Sequence, residues 1–408
     1  MTSAPRPFTA EARQRLFAAF AVPNFKRFVS GQGISLVGSW TETVAQAVLV
    51  LQLTNSAKAV GFVTAARYLP VMLLTPYAGL IVDRSDKRRV LILTATCLAM
   101  VSLLQGAMVL TQTITLPAMF LFALAFGVLS ALDNPARQAF IPEMVGTGLI
   151  RNAVTLNSTF VNVGRAVGPI VAAGLIATIG ISWCFLVNAG SFLCVLYALA
   201  TMRVADLHPV APTQSARGQL LQGLRYALTV PEIIGPIAMM ALIGTFTYEF
   251  EVSLPLFAHV TLHGEATTYS WLIGAFGAGS VLGGIYCVVR PETGLPRMVR
   301  AALIYAAGMS ATAMTSSTAV AVPLLILVGF ASIMFITTGN STLQLVAEPR
   351  FRGRVMALWS TAFIGSTPIG ATIIGYIDSV NPRLALMTGA AACLAAALVG
   401  TWTNRWHR

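Results

Sequence analysis

Apolar residues run almost unbroken for about 20 positions at a time between Val29 and Trp402, separated by short polar or charged interruptions. Such runs match the hydrocarbon thickness of a bilayer and lack the short apolar/polar alternation of a membrane β-strand. A backbone facing lipid must satisfy its own hydrogen bonds, so the runs predict helices. They fall at Val29–Leu53, Val60–Val82, Val90–Leu110, Leu116–Ala139, Asn152–Thr178, Trp183–Met202, Ile233–Phe257, Thr268–Val289, Val299–Ser317, Val320–Val346, Val355–Ile377 and Arg383–Trp402. The expected fold is therefore an all-α membrane protein with twelve transmembrane helices.

Most connections are short, but Arg203 to Glu232 is long and divides the spans six and six. The predicted organisation is an N-terminal segment 1–28, a six-helix bundle 29–202, a linker 203–232, a second bundle 233–404 and a tail 405–408. Within the linker, Leu220, Leu221, Leu224 and Leu228 recur at helical spacing beside Arg217 and Arg225, which predicts an amphipathic helix lying on the membrane surface.

Composition agrees: 56% of the residues are hydrophobic and 10% charged, against about 25% charged in soluble domains. The formal charge of +12 would suggest nucleic acid if it formed a stripe, but all except four of the 26 Lys and Arg lie at the termini or in the even-to-odd connections. Of those four, Lys58 and Arg383 sit on the opposite side, and Arg67 and Arg165 sit inside spans. The bias predicts both termini in the cytoplasm and contact with anionic lipid headgroups, with no nucleic acid partner. The polar, basic start and the length of the first span predict an uncleaved anchor and a multi-pass protein of a bacterial inner (cell) membrane. The five cysteines lie within spans without CxxC spacing and read as packing residues. No phosphate loop, Walker lysine or hydrolytic triad is visible, so neither ATP-driven transport, an enzyme activity nor a cofactor is expected.

The halves echo one another. Span 4 ends in Asn134, Gln138 and Glu143 before Arg151, and span 10 ends in Asn340, Gln344 and Glu348 before Arg352 and Arg354. Span 5 carries Gly164, Gly168, Pro169 and Gly174; span 11 carries Gly365, Pro368, Gly370 and Gly375. A six-plus-six duplication with flexible helices at matched positions suits a rocking transporter.

Three sets of residues point to one family. The loop after span 2 reads Gly79-Leu80-Ile81-Val82-Asp83-Arg84-Ser85-Asp86-Lys87-Arg88-Arg89. It resembles the loop signature of the major facilitator superfamily, with Asp86 where the family pattern usually has Gly. Gly164 to Pro169 is similar to the Gly-Pro motif of drug and proton antiporters. Gly38-Ser39-Trp40, Leu132 to Phe140 with Pro142-Glu143, and Arg352 to Leu358 resemble the enterobactin-exporter-like, or transmembrane secretion effector, branch. The resemblance implies two pseudo-symmetric six-helix bundles and export of drugs, natural products or siderophores.

Physically, Gly79 allows close helix approach, Asp83 can accept from helix N-terminal amides, and Arg84, Lys87 and Arg88 can clamp carboxylates on neighbouring helix ends. In the family the loop's basic residues pair with an acid at the end of span 4, which corresponds here to Asp133, with Arg137 one turn on. Gly168 and Pro169 loosen a helix at a gating seam, with Arg165 beside them as an interhelical lock or a snorkelling residue, and Arg352 and Arg354 complete the conformational gate. The body of span 4 lacks the arginine that many drug and proton antiporters carry there.

Ionisable residues at membrane depth are costly and read as functional. Glu42, in span 1, is the leading proton-coupling candidate, with Arg67 as its ion-pair partner or as a contact for an anionic substrate group. Glu249 and Glu251, in span 7, are the other acids. A separation of two residues turns them about 200° apart, so only one faces the centre. Candidate substrate-cavity residues are Trp40, Gln46, Arg67, Tyr68, Asn157, Asn188, Tyr248, Asn340 and Gln344, each of which could instead be interhelical glue. His259 and His263, with Glu265 beyond, form a weak metal pattern that is set aside, so no metal is expected.

The expectation is a monomeric secondary active exporter of small amphipathic molecules, coupled to protons. The alternatives are a lipid or lysolipid flippase or an importer of the same fold, and, from another class, a non-transporting receptor or scaffold.

Overall fold

A computed structural model of the chain describes residues 18–208, 219–290, 292–348, 351–363 and 365–405. Among these residues every regular element is helical. The first half comprises α1 (Pro23–Thr54), α2 (Ala57–Asp83), α3 (Lys87–Leu110), α4 (Leu116–Val145), α5 (Ile150–Thr178) and α6 (Ser182–Ala200). A linker helix α7 (Gln219–Thr229) follows. The second half comprises α8 (Pro231–Phe246), α9 (Phe250–Leu256), α10 (Ala266–Val289), α11 (Leu295–Met314), α12 (Thr318–Val346), α13 (Arg352–Phe363), α14 (Thr367–Val380) and α15 (Pro382–Arg405).

Local chemistry sets many of these boundaries. Proline in the first turn opens α1, α4, α8, α11 and α14, where its missing N–H is not needed. The Ser56 and Asp86 side chains accept from Ala59 and Arg89 amides and so cap α2 and α3. Capping gives Asp86 a role that glycine at the same loop position could not fill.

Among the described residues, eleven helical stretches are long and apolar enough to cross a membrane. The ninth predicted span lies on α11, a 20-residue helix that packs against α12 and α15. It begins earlier than its apolar run predicts because Arg297 enters its first turn with a solution for its charge. Nη1 donates to the carbonyls of Arg290 at 2.5 Å and Glu292 at 3.0 Å, and the guanidinium lies over the Tyr286 ring.

Two spans of the second half are broken. Span 7 is interrupted at Thr247–Glu249, between α8 and α9, and span 11 is divided into α13 and α14. Their counterparts in the first half, α1 and α5, are continuous over 32 and 29 residues.

The halves meet along two seams of small residues. On α2 and α14, Gly61 lies against the Ala371 carbonyl, and a Cβ on Gly375 would sit 3.0 Å from the Ala57 carbonyl oxygen. On α5 and α10, a Cβ on Gly277 would fall 2.7 Å from Ala166 Cα. Both seams lie at mid-depth and toward the end opposite the basic loops. There Tyr376 packs edge-on against Phe62 at 5.9 Å and carries the Lys58 ammonium 4.8 Å above its ring. At the basic end no contact of that extent joins the halves among the described residues. Gly79 reflects this difference: it was expected to admit a neighbouring helix, yet a Cβ there would meet nothing within 4 Å.

The linker helix packs by a face other than that of Leu224 and Leu228. Tyr226 stacks on Phe351 at 4.3 Å and accepts from the Glu348 amide, whereas Leu224 and Leu228 stay exposed. That leaves an apolar strip on the outside of the protein, as a surface-lying helix requires.

Candidate functional site

The acid of span 1 is held by its own half. Glu42 is buried, and its Oε2 accepts from Ser102 Oγ on α3 and from Asn188 Nδ2 on α6, both at 2.6 Å. Its Oε1 lies 4.0 Å from Arg67 Nη1 on α2. Asn188 is committed on its other side as well, where Oδ1 accepts from Ser191 at 3.1 Å and Ser39 at 3.4 Å. Gly38 makes room for this network, since a Cβ there would come within 2.7 Å of Asn188 Oδ1. Of the two roles open to Asn188, the structure places it in interhelical packing. Ser102, one polar residue in an otherwise apolar stretch of span 3, is a partner the sequence reading missed.

Arg67 faces the middle of the molecule. Its Nη1 donates to Gln46 Oε1, and its guanidinium stacks 3.8 Å from the Phe126 ring centroid. Gln46, Thr43, Thr64 and Arg67 from the first half line a small cavity together with Glu251 from the second. Tyr68 lies beside Glu251, and the charges of Arg67 and Arg165 both act on that carboxylate. Arg165 lies over the Trp40 ring at 4.9 Å, with its Nε unpartnered. Beside it, Gly168 packs against Trp40, and its carbonyl accepts from Thr41 Oγ1 at 3.0 Å. Trp40, Gln46, Arg67, Tyr68, Arg165 and Glu251 thus come together at mid-depth.

Glu249 goes elsewhere. The break in span 7 makes it the first residue before α9, where its carbonyl accepts from the amides of Val252 and Ser253 at 3.0 Å. Its carboxyl is buried against α14. A Cβ on Gly370 would lie 2.9 Å from Glu249 Oε1, which has no hydrogen-bond partner. Gly370 is therefore what lets this acid approach span 11. Tyr248 serves packing: its hydroxyl donates to the Ser332 carbonyl at 3.0 Å, and its ring meets Tyr305 and Phe363 edge-on.

The remaining cavity candidates are dispersed. Asn157 is partly buried on α5. Asn340 accepts from Gln344 Nε2 at 2.5 Å near the basic end of α12. Gln344 also lines a separate cleft of about 320 Å³ with Cys287, Glu292, Thr337, Thr338 and Ser341. His259 lies in a π-turn and His263 beyond it at φ 51°, so the regular i, i+4 face is not formed. Among the described residues no three potential metal ligands cluster.

The basic loop finds a different acid from the expected one. Lys87 Nζ pairs with Glu143 at 2.8 Å, at the end of α4. Asp133 instead pairs with Arg137 one turn along its own helix and accepts from Thr94 Oγ1 at 2.7 Å. Arg88 Nε donates to the Leu199 carbonyl at 2.8 Å, closing the end of α6. Arg84 caps the end of α2 through its backbone amide. Arg354 lies over the Phe351 ring at 5.3 Å. The side chains of Asp83 and Arg352 lie outside the described residues.

The transmembrane secretion effector profile of the major facilitator superfamily matches residues 15–405. The chain belongs to this family. Among its relatives, the multidrug efflux pump Tap of Mycolicibacterium fortuitum is 26% identical over 373 residues, 85% of each chain. The enterobactin exporter EntS of Citrobacter koseri is 25% identical over 375 residues, 90% of this chain and 87% of that one. The fold matches that of a bacterial homologue of the human lysosomal transporter Spinster, crystallised inward-facing and unoccupied. Its TM-score is 0.73 at 14% identity, with 98% of each chain covered. The nucleoside transporter NupG follows with a TM-score of 0.66 at 15% identity. This secretion effector is thus a multi-pass membrane protein with the major facilitator fold, and its family and relatives are transporters rather than enzymes.

Proposed function

We propose that the protein is a secondary active exporter of small amphipathic molecules such as a drug, a natural product or a siderophore. It works by proton antiport with alternating access, as a monomer in a bacterial cell membrane with both termini in the cytoplasm. The observation that carries this reading is the polar contact between the halves at mid-depth, where Glu251 meets Arg67, Gln46 and Tyr68. A carboxyl facing arginines from the other half binds a proton or leaves its charge to them, and each choice favours a different spacing of the halves. Substrate entering between Arg67, Arg165 and Glu251 competes for the same charges. With the basic end cytoplasmic, the described conformation is closed to the outside.

Relatives named as an efflux pump and as siderophore exporters support the cargo class. Candidate roles follow from position. Glu251 is the coupling acid facing the cavity, Glu249 a second acid at the span 7 break, and Glu42 the counterion that fixes Arg67. Trp40 and Tyr68 are cavity walls. Lys87, Arg88, Arg137, Arg165, Gly168 and Pro169 belong to the gate.

The test is substrate-dependent proton movement in liposomes holding the purified chain, read with a pH-sensitive dye. The panel contains lipophilic cations, siderophores and lysolipids. Proton release driven by a cation or siderophore, abolished by Glu251→Gln, is the expected result. Lysolipid movement without a proton signal would overturn antiport in favour of a flippase, and binding without flux would overturn transport.

A further inference from the structure

Asp378 is a buried acid that the mechanism above does not use. Span 11 was predicted to end at Ile377, which would leave Asp378 in a polar connection, but α14 continues to Val380 and buries it completely. Both of its carboxylate oxygens lack a hydrogen-bond partner. Its helix face is shared with Ala371, Ile374 and Gly375. At about 100° per residue, Asp378 stands only some 20° from Ala371 around the axis, two turns farther toward the end opposite the basic loops. Ala371 and Gly375 are the residues that meet Gly61 and Ala57 across the seam.

Several elements pack against α14 and bring charged or titratable groups to it. Helix α2 brings Lys58, Arg67 and Tyr68. Helix α15 brings Arg383 and Cys393, α8 brings Glu232 at its far end, and Glu249 and Glu251 stand at the start of α9. Lys58 is spent on the Tyr376 ring, and Arg383 on the Ala313 carbonyl and Ser316 Oγ. Arg67 is spent on Gln46, and Thr247 Oγ1 is the group beside Cys393. None pairs with Asp378 among the described residues. An ionised carboxylate without a partner in an apolar interior is strongly disfavoured, whereas a neutral carboxyl is tolerated.

We propose that Asp378 is a proton-binding site of the gate opposite the basic loops, and that the α2–α14 seam closes only over its protonated form. When the seam opens, the carboxyl is exposed to solvent at that end and loses its proton to water. Closure then requires that a proton be taken up again from that side. The site lies two turns along α14 from Gly370, where Glu249 is packed, so span 11 would carry one acid contact at mid-depth and one near its outer end. This proposal stands on the seam and not on export, and its test uses no substrate.

The full chain would be placed in lipid nanodiscs with spin labels at Thr113→Cys and Ser317→Cys, exposed positions in the two halves at this end, in a background without the five native cysteines. Raising the pH should lengthen the label distance in wild type, with the open-to-closed ratio rising by up to about tenfold per pH unit in the steep region. Asp378→Asn, a permanently neutral mimic, should lose that shift and stay closed. Infrared spectra of wild type should hold a protonated-carboxyl band that Asp378→Asn lacks and Glu249→Gln retains. An Asp378→Asn chain that follows the wild-type pH response, or an unchanged carboxyl band, would overturn the proposal. So would an amide variant that fails to fold or melts below wild type, because the carboxylate would then be making an interaction that an amide cannot replace.

Discussion

The two halves of this molecule treat equivalent positions differently. In the first half, spans 1 and 5 are continuous, and the acid of span 1 is fully engaged by Ser102, Asn188 and Arg67. In the second half, spans 7 and 11 are broken, and the acids nearby carry unpartnered oxygens at Glu249 and Asp378. A satisfied buried network resists change, because losing any member strands the others. A buried acid without a partner has nothing to hold its charge, so gaining or losing a proton changes which packing is favoured. On the proposals above, the first half acts as the frame, and the second half holds the groups whose protonation changes its shape.

The sharpest way to break this comparison is to remove an acid from each half. Glu42→Ala would leave Arg67 buried beside a void and should cost about 3–5 kcal/mol, read as a fall in thermal stability. Glu249→Gln, which removes no existing hydrogen bond at Oε1, should leave the melting temperature close to wild type. Equal losses from the two variants would end the distinction between frame and moving part.

Glycines sharpen the comparison at an intermediate scale. Gly127 packs against the Arg67 carbonyl within the first half, so Gly127→Ala should destabilise the chain by about 1–3 kcal/mol. Gly61 packs against the Ala371 carbonyl across the seam, so Gly61→Ala can be relieved by parting the halves. It should move the label distance at the Tyr376 end while the melting temperature falls less than in Gly127→Ala.

A smaller effect is expected at the seam's outer edge. Tyr376→Leu removes the platform for Lys58 and the edge contact with Phe62, together about 0.5–1.5 kcal/mol. The loss should appear as a more open seam in the same distance measurement. Smallest is Arg89→Gln, which removes the exposed pair with Asp86 at the basic end and should cost about 1 kcal/mol or less, an effect that salt weakens further.

Much of this site was legible residue by residue but not in its pairings. Arg67 and Glu42 stood out because charge is rare within apolar runs, and they do lie together. That only one of Glu249 and Glu251 could face the centre followed from helical spacing, but which one did not. The choice of Glu251 depends on the break at Thr247–Glu249, which resets the rotation of the outer helix relative to the inner one. Glu143 was visible as part of the repeat, yet Asp133 was expected to meet the loop. Asp133 lies within reach of Arg137 one turn away, whereas Glu143 at the helix end is the acid that the loop's Lys87 can reach. Asp378 was overlooked because an acid at the edge of an apolar run looks like the start of a loop.

The amino-acid sequence by itself determined the helical membrane class, the division into two halves and the alternation of basic and neutral connections. These follow from hydropathy and charge summed over long windows, where single errors average out. Only the tertiary structure decided which acid faces which arginine, where the spans break, which glycines meet across the seam and that Asp378 is buried. Each of these depends on rotation of a helix about its axis and on its neighbour's surface, and shifting a residue by one position turns it about 100° away from its partner.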